Sequence, residues 1–159
     1  AVMVEAYETN DMRDWLSDGN GGKQTILSYA NLPHIDLQRH LSWMKSLPDH
    51  LEYDIKDENG KTLFVTHGFG LPFYQSKHPM CMRTNRISKS IFYGVQKPLY
   101  SYEKNYLHYS VFNVYGHEHL NEPWMTDYFC SIDTGCVYDG KLCALEWPSK
   151  RIFLQSNIG

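Results

Sequence analysis

The 159-residue sequence contains no paired Cys-x-x-Cys among Cys81, Cys130, Cys136 and Cys143, which leaves no recognisable disulfide framework. Three of these cysteines sit in or beside apolar runs, where a free thiol behaves as a small hydrophobe. A reducing, cytoplasmic protein is therefore expected. No apolar run reaches spanning length, and the first residues do not read as a signal peptide, so no membrane partner is expected. The formal net charge of −3 gives no bulk attraction to nucleic acid, and none is expected as a partner. Internal repeats and low-complexity linkers are also lacking, which favours one domain over residues 1–159. The Gly-rich stretch Asp18-Gly19-Asn20-Gly21-Gly22 follows no strand and precedes no Gly-Lys-Ser or Gly-Lys-Thr. It is a weak candidate for a phosphate cradle.

Two histidine corners stand out instead. Ser110-Val111-Phe112-Asn113-Val114-Tyr115 reads as a short strand, followed at once by Gly116-His117-Glu118-His119. Thr62-Leu63-Phe64-Val65-Thr66 reads as another, followed by His67-Gly68. A glycine at such a corner is expected to let the backbone turn sharply and approach a ligand closely. Imidazole is the commonest metal-ligating side chain. The repeated design points to one site at one edge of a sheet.

The remaining elements follow from periodicity and punctuation. Ala1 to about Tyr7 reads as a helix, Asp11 to Leu16 continues in helical style, and Lys23 to Ala30 reads as a further short helix. From Asp36, the residues Leu37, Leu41, Met44 and Leu47 recur at helical spacing until Pro48. His40, within that helix, is expected to be partly buried and structural. Leu51–Ile55 and Thr62–Thr66 flank the turn Asp57-Glu58-Asn59-Gly60 and predict a hairpin. Pro123 and Trp124 read as a loop. Tyr128–Ile132, Lys141–Glu146 and Arg151–Gln155 read as three strands of a β-meander. The sum is an α+β chain, helices first and then a mostly antiparallel sheet.

Several of these stretches together resemble the calcineurin-like metallophosphoesterases, in particular the bacterial and bacteriophage branch of the protein serine/threonine phosphatases. Phe64-Val65-Thr66-His67-Gly68, with Leu71-Pro72-Phe73 following, resembles that branch's strand–His–Ala/Gly motif. Val114-Tyr115-Gly116-His117 resembles its V-F/Y-G-H motif. Ile132-Asp133-Thr134-Gly135-Cys136-Val137-Tyr138-Asp139-Gly140-Lys141-Leu142 resembles its I-D-T-G-x-V-x-x-G-x-L motif, the most specific of the matches. Arg86-Ile87-Ser88 resembles the segment just after the family's phosphate-binding arginine, and Trp15 with Gly21-Gly22 resembles a tryptophan and glycine pair that follows its third motif. The likeness runs from Ala1 to about Phe153.

The resemblance implies the C-terminal part of an αββα sandwich that holds two divalent ions, Mn, Fe or Zn. Two such ions about 3.5–4 Å apart acidify a water and clamp phosphoryl oxygens. His67 and His117 would ligate the second metal, with Glu118 and Asp133 as candidates to hold their tautomers. His119 is either a further ligand or a substrate-facing or structural residue. The phosphate-binding arginine is expected to be Arg83, with Arg86 as the alternative; Thr84 occupies the position that the family spacing indicates. The family's first three motifs, D-x-H, G-D-x-x-D-R-G and G-N-H-E, do not occur. A stretch resembling Ala1-Val2-Met3-Val4 follows the third of them in the family. The 159 residues are therefore expected to be inactive alone, with a missing N-terminal half or a second copy of the chain as partner. The implied substrate is a phosphoserine or phosphothreonine protein or a small phosphoester. The alternatives are a dinucleoside polyphosphate hydrolase, or a truncated domain that binds or assembles without catalysis.

Overall fold

The structure, a computed structural model, describes residues 2–18, 21–71, 74, 109–117 and 119–158. The chain divides into two compact units, Ala1–Pro48 and Asp49–Gly159. Among the described residues no helix is long and apolar enough to cross a membrane.

The first unit is helical: α1 spans Val2–Thr9, α2 Gly22–Tyr29 and α3 His34–Ser46. Its small core contains Ala6, Trp15 and Leu41. Helix α1 stops at Asn10, whose φ of 56° is left-handed, a conformation that asparagine tolerates at helix ends. Asp11–Leu16 therefore does not prolong α1 and forms only a turn, closed by Leu16 N–H to Met12 O at 2.9 Å. The glycine pair is explained by local geometry. Gly21 takes φ 67° at the start of α2, and a Cβ on Gly22 would lie 2.1 Å from the Trp15 carbonyl oxygen. His40 is half-buried and its Nδ1 lies 3.0 Å from the Tyr29 hydroxyl, the structural role expected of it.

The second unit is built on a five-stranded mixed sheet. Its strands are β1 His50–Lys56, β2 Thr62–Thr66, β3 Val111–Tyr115, β4 Trp124–Met125 and β5 Phe129–Ser131, in the order β1-β2-β3-β5-β4. The predicted hairpin is present: β1 and β2 are antiparallel, and the intervening Gly60 takes φ 76°. In the turn the Asp57 carboxylate accepts from the backbone N–H of Asn59 and Lys61. At the centre β2, β3 and β5 run parallel, while β4 returns antiparallel to β5. Strand β3 is buried along its whole length, as a central parallel strand covered on both faces should be. Phe64, Phe69, Leu71, Val111, Tyr115 and Phe129 pack on one face. Phe112, Val114 and Cys130 pack on the other, with Leu145, Trp147 and Ile152 against them. Burial with Cys143 nearby pushes the Cys130 thiol up to about 12. Cys130, Cys136 and Cys143 are all free thiols.

The last strands, β6 Lys141–Glu146 and β7 Arg151–Ser156, form a separate antiparallel pair. The expected meander is not formed. Apolar residues of β5 are buried between β3 and β4, while the Asp133–Gly140 segment redirects the chain before β6 begins. The expected loop at Trp124 is instead the two-residue edge strand β4, whose Trp124 ring meets Phe129 edge-on at 5.2 Å. With three α-helices among the described residues and a sheet system whose pairings are antiparallel for β1–β2, β4–β5 and β6–β7, the fold is α+β and mostly antiparallel.

Candidate metal centre

The parallel pairing of β2, β3 and β5 sends three chain segments out of the same edge of the sheet. Ligand sites in sheets with parallel strands gather at the carboxyl ends of those strands. Val65 pairs with Val114 and Tyr115 with Ser131. Directly after β2 comes His67, after β3 come Gly116 and His117, and two residues beyond β5 comes Asp133. Gly116 N–H donates to the His67 carbonyl at 2.9 Å, and Ile132 N–H donates to the Tyr115 carbonyl at 2.9 Å. These bonds carry the ladder one step past the strands and tie the corners together.

The imidazoles of His67 and His117 meet across this edge. His67 Nε2 lies 2.9 Å from His117 Nδ1, with ring centroids 4.7 Å apart and planes inclined by 58°. Two neutral imidazoles at that distance share one proton, one ring donating and the other accepting. Burial and the neighbouring His117 hold the His67 imidazole below the ordinary value, and the Asp133 carboxylate opposes them in part. Burial thus favours the unprotonated form of the His67 imidazole, the form that metals require.

Two imidazole nitrogens bound to one ion at about 2.0–2.1 Å stand roughly 3.0–3.4 Å apart, depending on the coordination angle. The observed pair therefore fits two neighbouring donors of one ion after a small opening of the rings. Among the described residues no group of three His, Cys, Asp or Glu side chains joins to hold a metal.

The glycine expectation is corrected in its detail. Gly116 does not take a positive φ; His117 does, at 78°. What Gly116 supplies is close approach, since a Cβ there would come within 3.3 Å of Asp133 Cβ. The turn falls instead on His117, the candidate ligand itself. Histidine is among the few side chains enriched in the left-handed region. Backbone strain of this kind gathers at functional sites.

His119 is placed differently from the other two. Its exposed ring lies 5.1 Å from the Tyr138 ring and beside Gly135, where a glycine Cβ would meet His119 atoms at 3.4 Å. The Asp133–Lys141 segment it rests on is a tight structural turn. Thr134 Oγ1 donates to the Lys141 carbonyl at 2.6 Å, Gly135 N–H donates to Asp133 Oδ1 at 3.0 Å, and Gly135 takes φ 67°. A Cβ on Gly140 would lie 2.0 Å from the Thr134 carbonyl oxygen. Arg83, Arg86 and Glu118 lie outside the described residues. Asn113, fully buried in the middle of β3, was missed by sequence reasoning; an amide inside an otherwise apolar strand was the available signal.

Compared with known proteins, the chain matches no family model and no curated protein.

Proposed function

We propose that this chain is the C-terminal part of a metal-dependent phosphatase of the calcineurin-like metallophosphoesterase type, acting on phosphoserine or phosphothreonine in proteins. The observation that carries the reading is the 2.9 Å approach of His67 and His117 at the carboxyl edge of parallel strands. It supports the reading because both histidines stand in stretches that resemble the family's metal-ligating motifs. In this reading His67 and His117 hold one of two divalent ions, Mn, Fe or Zn, and Asp133 lends negative charge nearby. When bound, the ions acidify a water and clamp phosphoryl oxygens. His119 is a third candidate donor. Arg83, with Arg86 as the alternative, supplies planar donors that suit phosphate oxygens. The 159 residues alone bind metal without turning over substrate, because they carry none of the family's first three motifs. A cytoplasmic location suits the free thiols.

Metal binding is tested by thermal unfolding of the chain with added Mn or Zn. Binding to the folded state alone raises stability by about 2.7 kcal/mol at a hundredfold excess over Kd. The rise is expected in the wild type and absent in His67→Ala and His117→Ala. An equal rise in all three would remove the site. Aryl phosphate turnover by the chain alone, lost in His117→Ala, would overturn the inactive-alone part of the proposal. In a complete enzyme, preference for a dinucleoside polyphosphate over a phosphopeptide would move the substrate assignment.

A further inference from the structure

We infer that Asn113 is a positioning residue for His67: its buried carboxamide fixes the corner that presents the imidazole to His117. The inference rests on the reading of the His67–His117 edge as the functional site. A primary amide at the centre of a fully buried strand is costly unless every polar atom is matched. Here each one is. Oδ1 accepts from Gly70 N–H at 2.8 Å. Nδ2 donates to Thr66 Oγ1 at 2.9 Å and to the Phe64 carbonyl at 3.1 Å, with the Val114 carbonyl at 3.4 Å. The orientation of the amide follows from its partners, since Gly70 N–H can only donate and the Phe64 carbonyl can only accept. Thr66 Oγ1 donates onward to the Gly68 carbonyl at 2.6 Å, so its lone pairs are left for Nδ2.

The partners bracket His67. Thr66 precedes it, Gly68 follows it, and Gly70 lies three residues on. One side chain of β3 therefore grips the chain on both sides of the histidine. Gly70 is the residue that lets the loop come this close: a Cβ there would lie 2.6 Å from Thr66 Cγ2 and 2.8 Å from Phe64 Cε1. The flanking positions Val111, Phe112, Val114 and Tyr115 are apolar and buried, so core packing alone gives no reason for an amide at 113. The reason lies in the corner. His67 is itself exposed; Gly116 N–H holds its carbonyl, and the amide adds a restraint on the chain before and after it.

The experiment uses the isotope-labelled 159-residue chain in chelator, without metal. The readout is the nuclear Overhauser contact between the ring protons of His67 and His117, alongside the cross-strand contacts of β2 with β3. The wild type is expected to show both. Asn113→Val and Thr66→Val are expected to lose the ring contact and keep the ladder. Thr66→Ser, which retains the hydroxyl, is expected to keep both. A ring contact that survives in Asn113→Val or Thr66→Val overturns the inference, as does its absence from the wild type. Loss of the β2–β3 ladder along with it in Thr66→Val also overturns it, because the network would then hold the sheet rather than the histidine. If Asn113→Val does not fold, the Thr66→Val and Thr66→Ser pair decides by the same criteria. Zinc titration separates this from the metal reading. A wild type that binds no zinc sinks that reading and leaves the ring contact to judge the inference. Where zinc binds, Asn113→Val is expected to weaken it tenfold to a hundredfold.

Discussion

Two of the buried polar groups of the sheet unit, Asp57 and Asn113, are built to opposite ends. Where β7 begins, Lys150 Nζ meets the fully buried Asp57 carboxylate at 2.6 Å. The same ammonium lies over the Phe112 ring at 4.5 Å, and Trp147 Nε1 donates to the Ile55 carbonyl at 2.7 Å. This clamp fastens the β6–β7 hairpin to the turn after β1. At the carboxyl edge the buried polar group is an uncharged amide, and the ionisable rings it serves are left exposed. Charges are thus buried where they hold the fold. At the edge, buried hydrogen bonds place a backbone whose side chains face outward. Both places carry a positive φ on a non-glycine residue, His117 at 78° and Lys150 at 56°. The contrast separates stability from chemistry, and variants at each place should move one without the other.

The largest effect is expected from the clamp. Lys150→Met leaves the Asp57 carboxylate buried without its cation, which typically costs about 3–5 kcal/mol. Denaturant unfolding should show that loss, while the His67–His117 ring contact persists in the folded fraction. Burial pushes the Asp57 carboxyl up, but the Lys150 ion pair and the backbone N–H groups of Lys61 and Asn59 outweigh it and hold it below the usual range. Its contribution is therefore present at neutral pH and is lost as pH falls through that depressed value. Unchanged stability in Lys150→Met would erase the contrast.

At the edge the expected sign reverses. His117→Gly relieves a positive φ and should stabilise the chain by about 1 kcal/mol, set by the strain of a non-glycine residue there. His117→Ala keeps the strain and should not. Both should lose metal binding. A destabilised His117→Gly would show that the ring contributes more to folding than its backbone costs.

In a complete enzyme Arg83→Ala should lower turnover of an aryl phosphate more than Arg86→Ala, because a bidentate contact strengthens as charge develops on phosphate. The reverse ranking would move the phosphate contact to Arg86.

The smallest effect is a pH slope. Because His67 is held below its ordinary value in the folded chain, the unfolded chain binds more protons between the two values. Stability should therefore fall as pH drops from about 6.5 through the lower folded value. His67→Gln should flatten the profile in that window and leave the acid limb from Asp57 unchanged. An identical slope in His67→Gln would place the proton elsewhere.

Local signals carried much of the fold. Pro33 and Pro48, the apolar spacing of α3, the Asn59-Gly60 turn and the short apolar runs all depend on near neighbours in the chain. Each predicted element that rested on them is present within a few residues. The His67 and His117 corners were readable for the same reason, since a strand ending in histidine and glycine is a contiguous pattern. The Asp133–Gly140 turn is likewise local, because its glycines are demanded by backbone contacts a few residues away.

What the chain alone did not disclose depends on partners far apart in sequence. Strand β5 reads like a member of a meander, yet its pairing partner is β3, chosen by the burial of Phe129 and Cys130 on opposite faces of the sheet. Asn113 reads as an interruption in an apolar run until Gly70 and Thr66 are brought against it. Gly116 reads as a turn glycine until Asp133, which follows β5, is brought against it. Sequence was sufficient for two histidines at two strand ends, since strand ends are local. Only the parallel pairing of β2 with β3 turned both ends to the same edge and closed the rings to 2.9 Å, because an antiparallel pair would have sent them to opposite edges of the sheet.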